Sequence, residues 1–269
     1  MLEPTHVPVL ELVRSVSVVG IEKIGLVKPG DDLPQLILEG VKAENFELTD
    51  GDVIVVSQKI VSKAGGLLVD ITTIKPARRS VLISKRTRKD PRLVDLILKD
   101  SEKVLRADSQ ALVVRRRDGL VCLNAGVDKS NVRGRTVYSR LPLDADASAD
   151  QLRNRLEELS GKKLGVIVGD TYSRPHRAGQ AEFAIGVSGI EPIVDYRGQE
   201  DLFGYELRYK SVALADEVAA AAELVMGQGT EQVPVAVVRG LQRSVRSEEH
   251  GLSKKLLLGK QVDLFSKTG

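Results

Sequence analysis

Apolar residues recur along this chain in two rhythms, and the switches between them predict its elements. "VSVVG" near the start is strand-like, and a Pro29-Gly30 turn follows it. Asp31 and Asp32 then stand as caps for a helix through "LPQLILEGV". "TDGD" turns into "VIVVSQK", a β-branched run that reads as a buried strand, with Lys63 just beyond it in "IVSKAGG". Asp90-Pro91 marks a helix start, and "RLVDLILKDSEKVL" places Leu93, Leu96, Ile97 and Val104 at helical spacing. "ALVVRRRDGLVCLNAG" predicts two short strands joined by a turn at Asp118-Gly119. Residues 133–147 read as loop, 149–159 as a helix stopped by Gly161, and "LGVIVGDTYSRPHRAGQ" as a strand entering a polar loop. The Ala- and Leu-rich "VALADEVAAAAELVMG" is a helix, and "VPVAVVRG" is the last clear strand. The order lacks a regular βαβ rhythm, so the expected class is α+β with mixed sheets and flanking helices.

The 269 residues suffice for one large domain or two modest ones. Aromatic residues make up only 3% and tryptophan is absent, so the core must rest on Val, Leu, Ile and Ala. A net charge of +3 gives no reason to expect nucleic acid. Two basic clusters, "KRTRK" at 85–89 and "RRR" at 115–117, read first as solvated surface and second as attraction for an anionic substrate. Cys122 is the single cysteine, so no disulfide can form within the chain, and its strand context predicts a small buried thiol. No apolar run reaches the ~18 residues of a membrane span, and the first fifteen residues lack a signal-peptide core. The expected location is the cytoplasm.

Several chemistries are excluded by absent motifs. There is no phosphate loop of the GxxxxGK[ST] type, no GxGxxG after a strand, no HExxH and no CxxC. His6, His176 and His250 are far apart in sequence, which disfavours a histidine metal site or a Ser-His-Asp arrangement. What remains is oxygen chemistry on loops after strands. Asp128 in "NAGVDKSNV" and Asp170 in "VIVGDT" each follow an apolar strand, and Thr171 adds a third oxygen. Such residues either cap turns or converge on a hard cation such as magnesium or manganese. Gly126, Gly169 and Gly179 would allow a ligand close to the backbone, and Lys59 and Lys63 flank the turn after another strand as candidate phosphate contacts.

Taken together, "DGDVIVVSQKIVSKA", "KDPRLVDLIL", "GLVCLNAGVDKSNV", "GDTYSRPHRAGQAEFAIGVSGI", "DYRGQEDLFGYEL" and "ADEVAAAAELVMGQGTE" resemble, in order, the coenzyme F420-0:L-glutamate ligase (F420 gamma-glutamyl ligase) family. The resemblance runs over about residues 17–265, and "NAGVDxSNV" and "DYRGxxDxxG" are specific strings. It implies a single unit over 1–269 with two structural subdomains, assembled as a homodimer. It also implies a GTP-dependent ligase that joins L-glutamate to F420-0 and then adds a γ-linked glutamate. Two divalent cations, Mn2+ or Mg2+, and often potassium would assist. By motif, the nucleotide would lie against Ile21, Glu22, Lys23, Ile24, Gln58, Lys59, Lys63 and Asn131. The segment Met226, Gly227, Gln228, Gly229, Thr230, Glu231, Gln232 and Val233 would close over it. Asp128 and Asp170 would hold one metal, and Thr171 and Gln228 would contact the second. Asp128, Asp170 and Lys63 would be the catalytic residues.

Departures from the family pattern are local. Where the family has Ser-Asp-Thr and then Phe-Gly followed by Arg-Pro-Trp-Arg, this chain has Gly169, Ser173 and His176 in place of the Ser, Gly and Trp. An Arg-Pro near the end is replaced within "KKLLLGKQVDLF". These changes bear on the acceptor more than on ligation. The rival expectations are a ligase of the same family with another acceptor or amino acid, and a nucleotide-binding protein without turnover.

Overall fold

The computed structural model describes residues 15–241 and 249–258. A five-stranded sheet runs in the order β1 (Ser17–Ile21), β12 (Val235–Arg239), β2 (Val53–Ser57), β8 (Gly165–Ser173), β9 (Gln180–Ser188). Only β2 and β8 pair in parallel; the other neighbours are antiparallel. The register aligns the strand ends. Ile21 faces Val235, Val235 faces Val56, and Val56 faces Val168, so the C-terminal halves of the co-oriented β1, β2 and β8 lie level.

Strand β2 shows why the sheet is central. Ile54 and Val56 belong to one apolar cluster and Val53 and Val55 to another, all fully buried, as a strand covered on both faces requires. One face is covered by α1 (Leu33–Ala43), α2 (Gln58–Ala64) and α5 (Ala145–Ser160). Asp32 caps α1 by accepting from Gln35 N at 3.2 Å, and Asp144 caps α5 through Ala147 N at 2.8 Å. Gly161, at φ 69°, takes the left-handed conformation that ends α5. The other face is covered by α6 (Leu214–Met226), which buries Ala215, Val218, Ala219, Ala222 and Met226 along one stripe, and by Leu252 of a short 3-10 turn.

A third apolar cluster forms beside this sandwich. It joins α4 (Pro91–Lys99) to a three-stranded antiparallel sheet of β4 (Ser101–Ala107), β5 (Leu112–Arg116) and β6 (Val121–Leu123). Ala125 and Val127 enter the same cluster, which anchors the loop carrying Asp128. The helix α3 (Arg78–Thr87) packs on α4, and the short ladder of β3 (Leu68–Asp70) with β7 (Val137–Ser139) links this cluster to the main sheet. Strands β10 (Val194–Asp195) and β11 (Ser211–Val212) form the base of a projecting hairpin. Among the described residues, no helix is long and apolar enough to cross a membrane.

The architecture is α+β with mixed sheets, as expected, but several local expectations are corrected. Val104 lies in β4, not in the preceding helix, which stops at Lys99. Residues 133–147 are not all loop, because β7 and the first turn of α5 fall within them. Of the "RRR" cluster, Arg116 is only 2% exposed. Its guanidinium donates to Ala125 O at 3.1 Å and Pro142 O at 2.8 Å and pairs with Asp118, so it is an internal brace and not solvated surface. His6 lies outside the described residues.

Candidate functional site

Chain segments leaving the level ends of β1, β2 and β8 supply most of the predicted site. Beyond β1 come Glu22, Lys23 and Ile24; beyond β2 comes α2, with Gln58, Lys59 and Lys63. In β8 the apolar run gives way to Asp170 and Thr171. Ser57 N donates to Pro234 O at 2.9 Å, which brings the 226–233 segment alongside the start of α2. Open sheets commonly bind ligands at the carboxyl ends of parallel strands.

Asp128 reaches this place from the loop "NAGVDKSNV". Its backbone exchanges hydrogen bonds with Ser139 of β7, N to O at 3.0 Å and O to N at 2.8 Å. Its carboxylate accepts from Lys129 N at 2.6 Å and Ser130 N at 3.1 Å, and takes close contacts from the Lys59 ammonium and the Ser130 hydroxyl. Lys59 also donates to Ser139 Oγ at 3.1 Å. Partial burial pushes the Asp128 pKa upward, but Lys59 and Ser130 outweigh it and hold the group down at about 2. Lys63 is lowered by burial and by the neighbouring Lys59 charge. Asn131, with a positive φ of 52°, donates to Gly229 O at 3.4 Å, tying this loop to the 226–233 segment.

Carboxylates on β8 and β9 behave oppositely. Asp170 is half-buried, and burial raises its pKa to about 6 despite Lys59, with Asp128 adding repulsion. Glu182, opposite Thr171 in the β8–β9 register, is raised to about 8 by burial and by Asp170 and Glu223. Glu182 Oε2 lies 3.2 Å from Thr171 Oγ1 and accepts from Gln228 Nε2 at 3.3 Å; Thr171 Oγ1 lies 2.8 Å from Gln228 Oε1. The expected pair Thr171 and Gln228 therefore meets, and Glu182 joins it. Sequence reasoning missed Glu182 because β9 was not recognised; its signal was an acid inside the apolar alternation "AEFAIG".

Other expectations are refined. Lys59 and Lys63 sit on a helix that begins at the strand's end, not around a turn. Asp170 is inside β8 and not past it. Ile21, Ile24, Met226 and Val233 are buried in the apolar clusters, so their side chains face the core, while Glu22 and Lys23 are exposed and Lys23 donates to Ala43 O at 2.8 Å. Gly126 serves packing: a Cβ there would lie 2.2 Å from Leu141. Gly169 likewise faces a side chain, that of Glu182, and Gly179, at φ 81°, serves the β8–β9 turn. Cys122 is buried, and burial pushes its thiol up to about 11, which suits an inert core position.

The donor set fits hard cations. It consists of carboxylate, hydroxyl and amide oxygens, and Asp170 and Glu182 are held above their ordinary range by burial, with added repulsion from neighbouring carboxylates, which a cation would relieve. Among the described residues, no three His, Cys, Asp or Glu side chains come together as a metal-binding group. A partial protein shell completed by phosphates and water is the usual arrangement for magnesium.

Comparison with known proteins identifies the chain's relatives. Residues 21–240 match the model of the F420-0:Gamma-glutamyl ligase family. A Coenzyme F420:L-glutamate ligase of Methanothermobacter thermautotrophicus is 42% identical over 250 residues, covering 93% of this chain and 98% of the relative. Its namesake in Methanopyrus kandleri is 43% identical over 240 residues, covering 89% and 93%. That of Archaeoglobus fulgidus is 41% identical over 250 residues, covering 90% and 98%. The chain belongs to the F420-0:gamma-glutamyl ligase family.

Proposed function

We propose that this protein is a GTP-dependent ligase that joins L-glutamate to coenzyme F420-0 and then adds a further glutamate through its γ-carboxyl. The observation that carries this reading is the convergence of Lys59, Asp128, Asp170, Thr171 and Gln228 near the level ends of β1, β2 and β8, in a chain so similar to relatives named for glutamate ligation to F420.

A free carboxylate is a poor acyl donor. The acceptor's carboxylate oxygen attacks the γ-phosphorus of GTP, GDP leaves, and an acyl phosphate results. The glutamate amine then attacks the acyl carbon, the carbon–oxygen bond to phosphate breaks, and inorganic phosphate departs with that oxygen. Lys59 and Lys63 bring positive charge to the phosphates, and Asn131 with the 226–233 segment closes over the nucleotide. Asp128 and Asp170 would hold one divalent ion, Mn2+ or Mg2+, and Thr171 and Gln228 would contact another; bound, these ions supply charge neutralisation at the transferring group. Potassium would be a monovalent accessory. No side-chain nucleophile is required, consistent with the buried Cys122.

The protein is expected to act in the cytoplasm as a homodimer. The projecting hairpin supports a partner copy: Leu202, Phe203 and Tyr209 at its tip and flank are 97%, 95% and 90% exposed, an uncovered apolar surface. A second reading, a different acceptor or amino acid, is favoured by the exposed "SRPHRAG" turn between β8 and β9, which departs from the family pattern beside Asp170 and Thr171.

Mass spectrometry of a reaction with F420-0, L-glutamate, GTP and Mn2+ tests the proposal. Mass increments of glutamyl units, absent with Asp128→Ala, would support it. GDP release without an increment would move the reading to the other acceptor, and neither product would leave a nucleotide-binding protein.

A further inference from the structure

The β8–β9 hairpin holds a side-chain arrangement that the nucleotide and metal roles assigned so far leave unexplained. Glu182 is only 3% exposed, and its side-chain contacts with Thr171 Oγ1 and Gln228 Nε2 both fall on Oε2. Thr171 Oγ1 has one proton but stands within hydrogen-bond distance of two acceptor oxygens, Glu182 Oε2 and Gln228 Oε1. With Glu182 ionised, oxygens outnumber the protons available to separate them, so the cluster takes either a proton on that carboxyl or a cation in its place.

Gly169 explains how a glutamate fits there. A Cβ built on Gly169 would lie 2.5 Å from Glu182 Oε1, 3.1 Å from its Cγ and 3.2 Å from its Cδ. The carboxyl group therefore rests over a bare Cα, and any side chain at 169 would drive it aside. Behind it, Glu182 N donates to Glu223 Oε2 at 2.9 Å, which fixes the strand against α6.

We propose that Glu182 is a ligand of the second divalent cation, alongside Thr171 and Gln228, and that Gly169 is the residue that makes room for it. This inference rests on the proposed binding of divalent ions at the site, and goes beyond it by assigning that ion its one carboxylate. Thr171 and Gln228 offer only neutral oxygens; Glu182 adds the charge that would make the protein, and not the nucleotide alone, retain the ion.

The test is a Mn2+ titration of the full-length protein with saturating GDP, following free Mn2+ by electron paramagnetic resonance. Wild type is expected to bind two ions. Glu182→Gln should weaken one of them by about tenfold or more and leave the other unchanged, whereas Asp128→Ala should weaken the other. Gly169→Ala should weaken the same ion as Glu182→Gln, and the double variant should bind no worse than Glu182→Gln alone. Melting curves in EDTA separate ligation from scaffolding: Glu182→Gln should melt at or above wild type, because a buried carboxylate has been neutralised. Two ions retained at wild-type affinity in Glu182→Gln would overturn the assignment while leaving the metal-dependent reading intact. So would a lowered melting temperature with both ions lost together. Absence of any Mn2+ binding to wild type would overturn both.

Discussion

Asp128 and Asp170 are the same side chain in one site, and the fold treats them oppositely. Asp128, on a loop, meets an ammonium, a hydroxyl and two backbone amides and is held at about 2. Asp170, inside β8, is hemmed by burial and raised to about 6, with Glu182 beyond it raised to about 8. Both carboxylates feel Lys59, but only Asp128 takes its ammonium in a direct hydrogen bond, so one half of the site is paired and in the other burial outweighs the lysine. The difference teaches that residue type does not set the role here; topology does, by deciding which half receives the lysine's hydrogen bond. In the proposed site Asp128 would bring to the shared ion a carboxylate already paired with a lysine, and Asp170 one whose charge the ion itself would compensate.

The largest expected effect comes from destroying the contrast at either end. Asp128→Ala or Asp170→Ala should lower turnover about 100- to 1,000-fold, measured as glutamyl product per enzyme, with the fold retained by circular dichroism. A smaller change, in stability, should follow from removing the brace under the paired half. Arg116→Ala leaves Ala125 O and Pro142 O without their buried donor, and should cost about 3–5 kcal/mol, read by denaturant unfolding.

The half where burial prevails should reveal itself through pH. Asp170 titrates near 6 in the folded chain against an ordinary value of 3.8, so it binds its proton more tightly folded than unfolded. Its contribution is fully present below about 4 and is lost as pH rises through about 6. In EDTA, Asp170→Asn should therefore melt progressively above wild type between pH 4 and pH 7, and the gap should shrink when Mn2+ is added. A constant gap would mean that Asp170 is already compensated. The smallest effect should come from Cys122→Ala, with turnover within about twofold of wild type and stability lowered by roughly 1 kcal/mol.

Much of the fold and the site was legible in the residues. Asp32, Asp90-Pro91 and Gly161 announced helix ends through local chemistry, Asp128 and Lys59 marked the candidate site by following apolar strands, and Asp170 marked it by ending the apolar run within β8. What escaped depended on contacts distant in sequence. Val104 continued a helical spacing that Asp100 and the pairing of β4 with β5 override. Arg116 looked like one of three solvated arginines until Asp118, Ala125 and Pro142 enclosed it. Glu182 acquires meaning only from the register that sets it opposite Thr171 and from a missing side chain at Gly169.

The central claim is that phosphate activates the acceptor's carboxylate at this end of the sheet, and oxygen transfer tests it most directly. F420-0 carrying 18O in its terminal carboxylate would be converted with GTP, L-glutamate and Mn2+, and the released inorganic phosphate analysed by mass. The mechanism predicts one carboxylate oxygen in phosphate for each first amide formed, carrying the label in proportion to the enrichment of that carboxylate. Unlabelled phosphate accompanying full amide formation would contradict it.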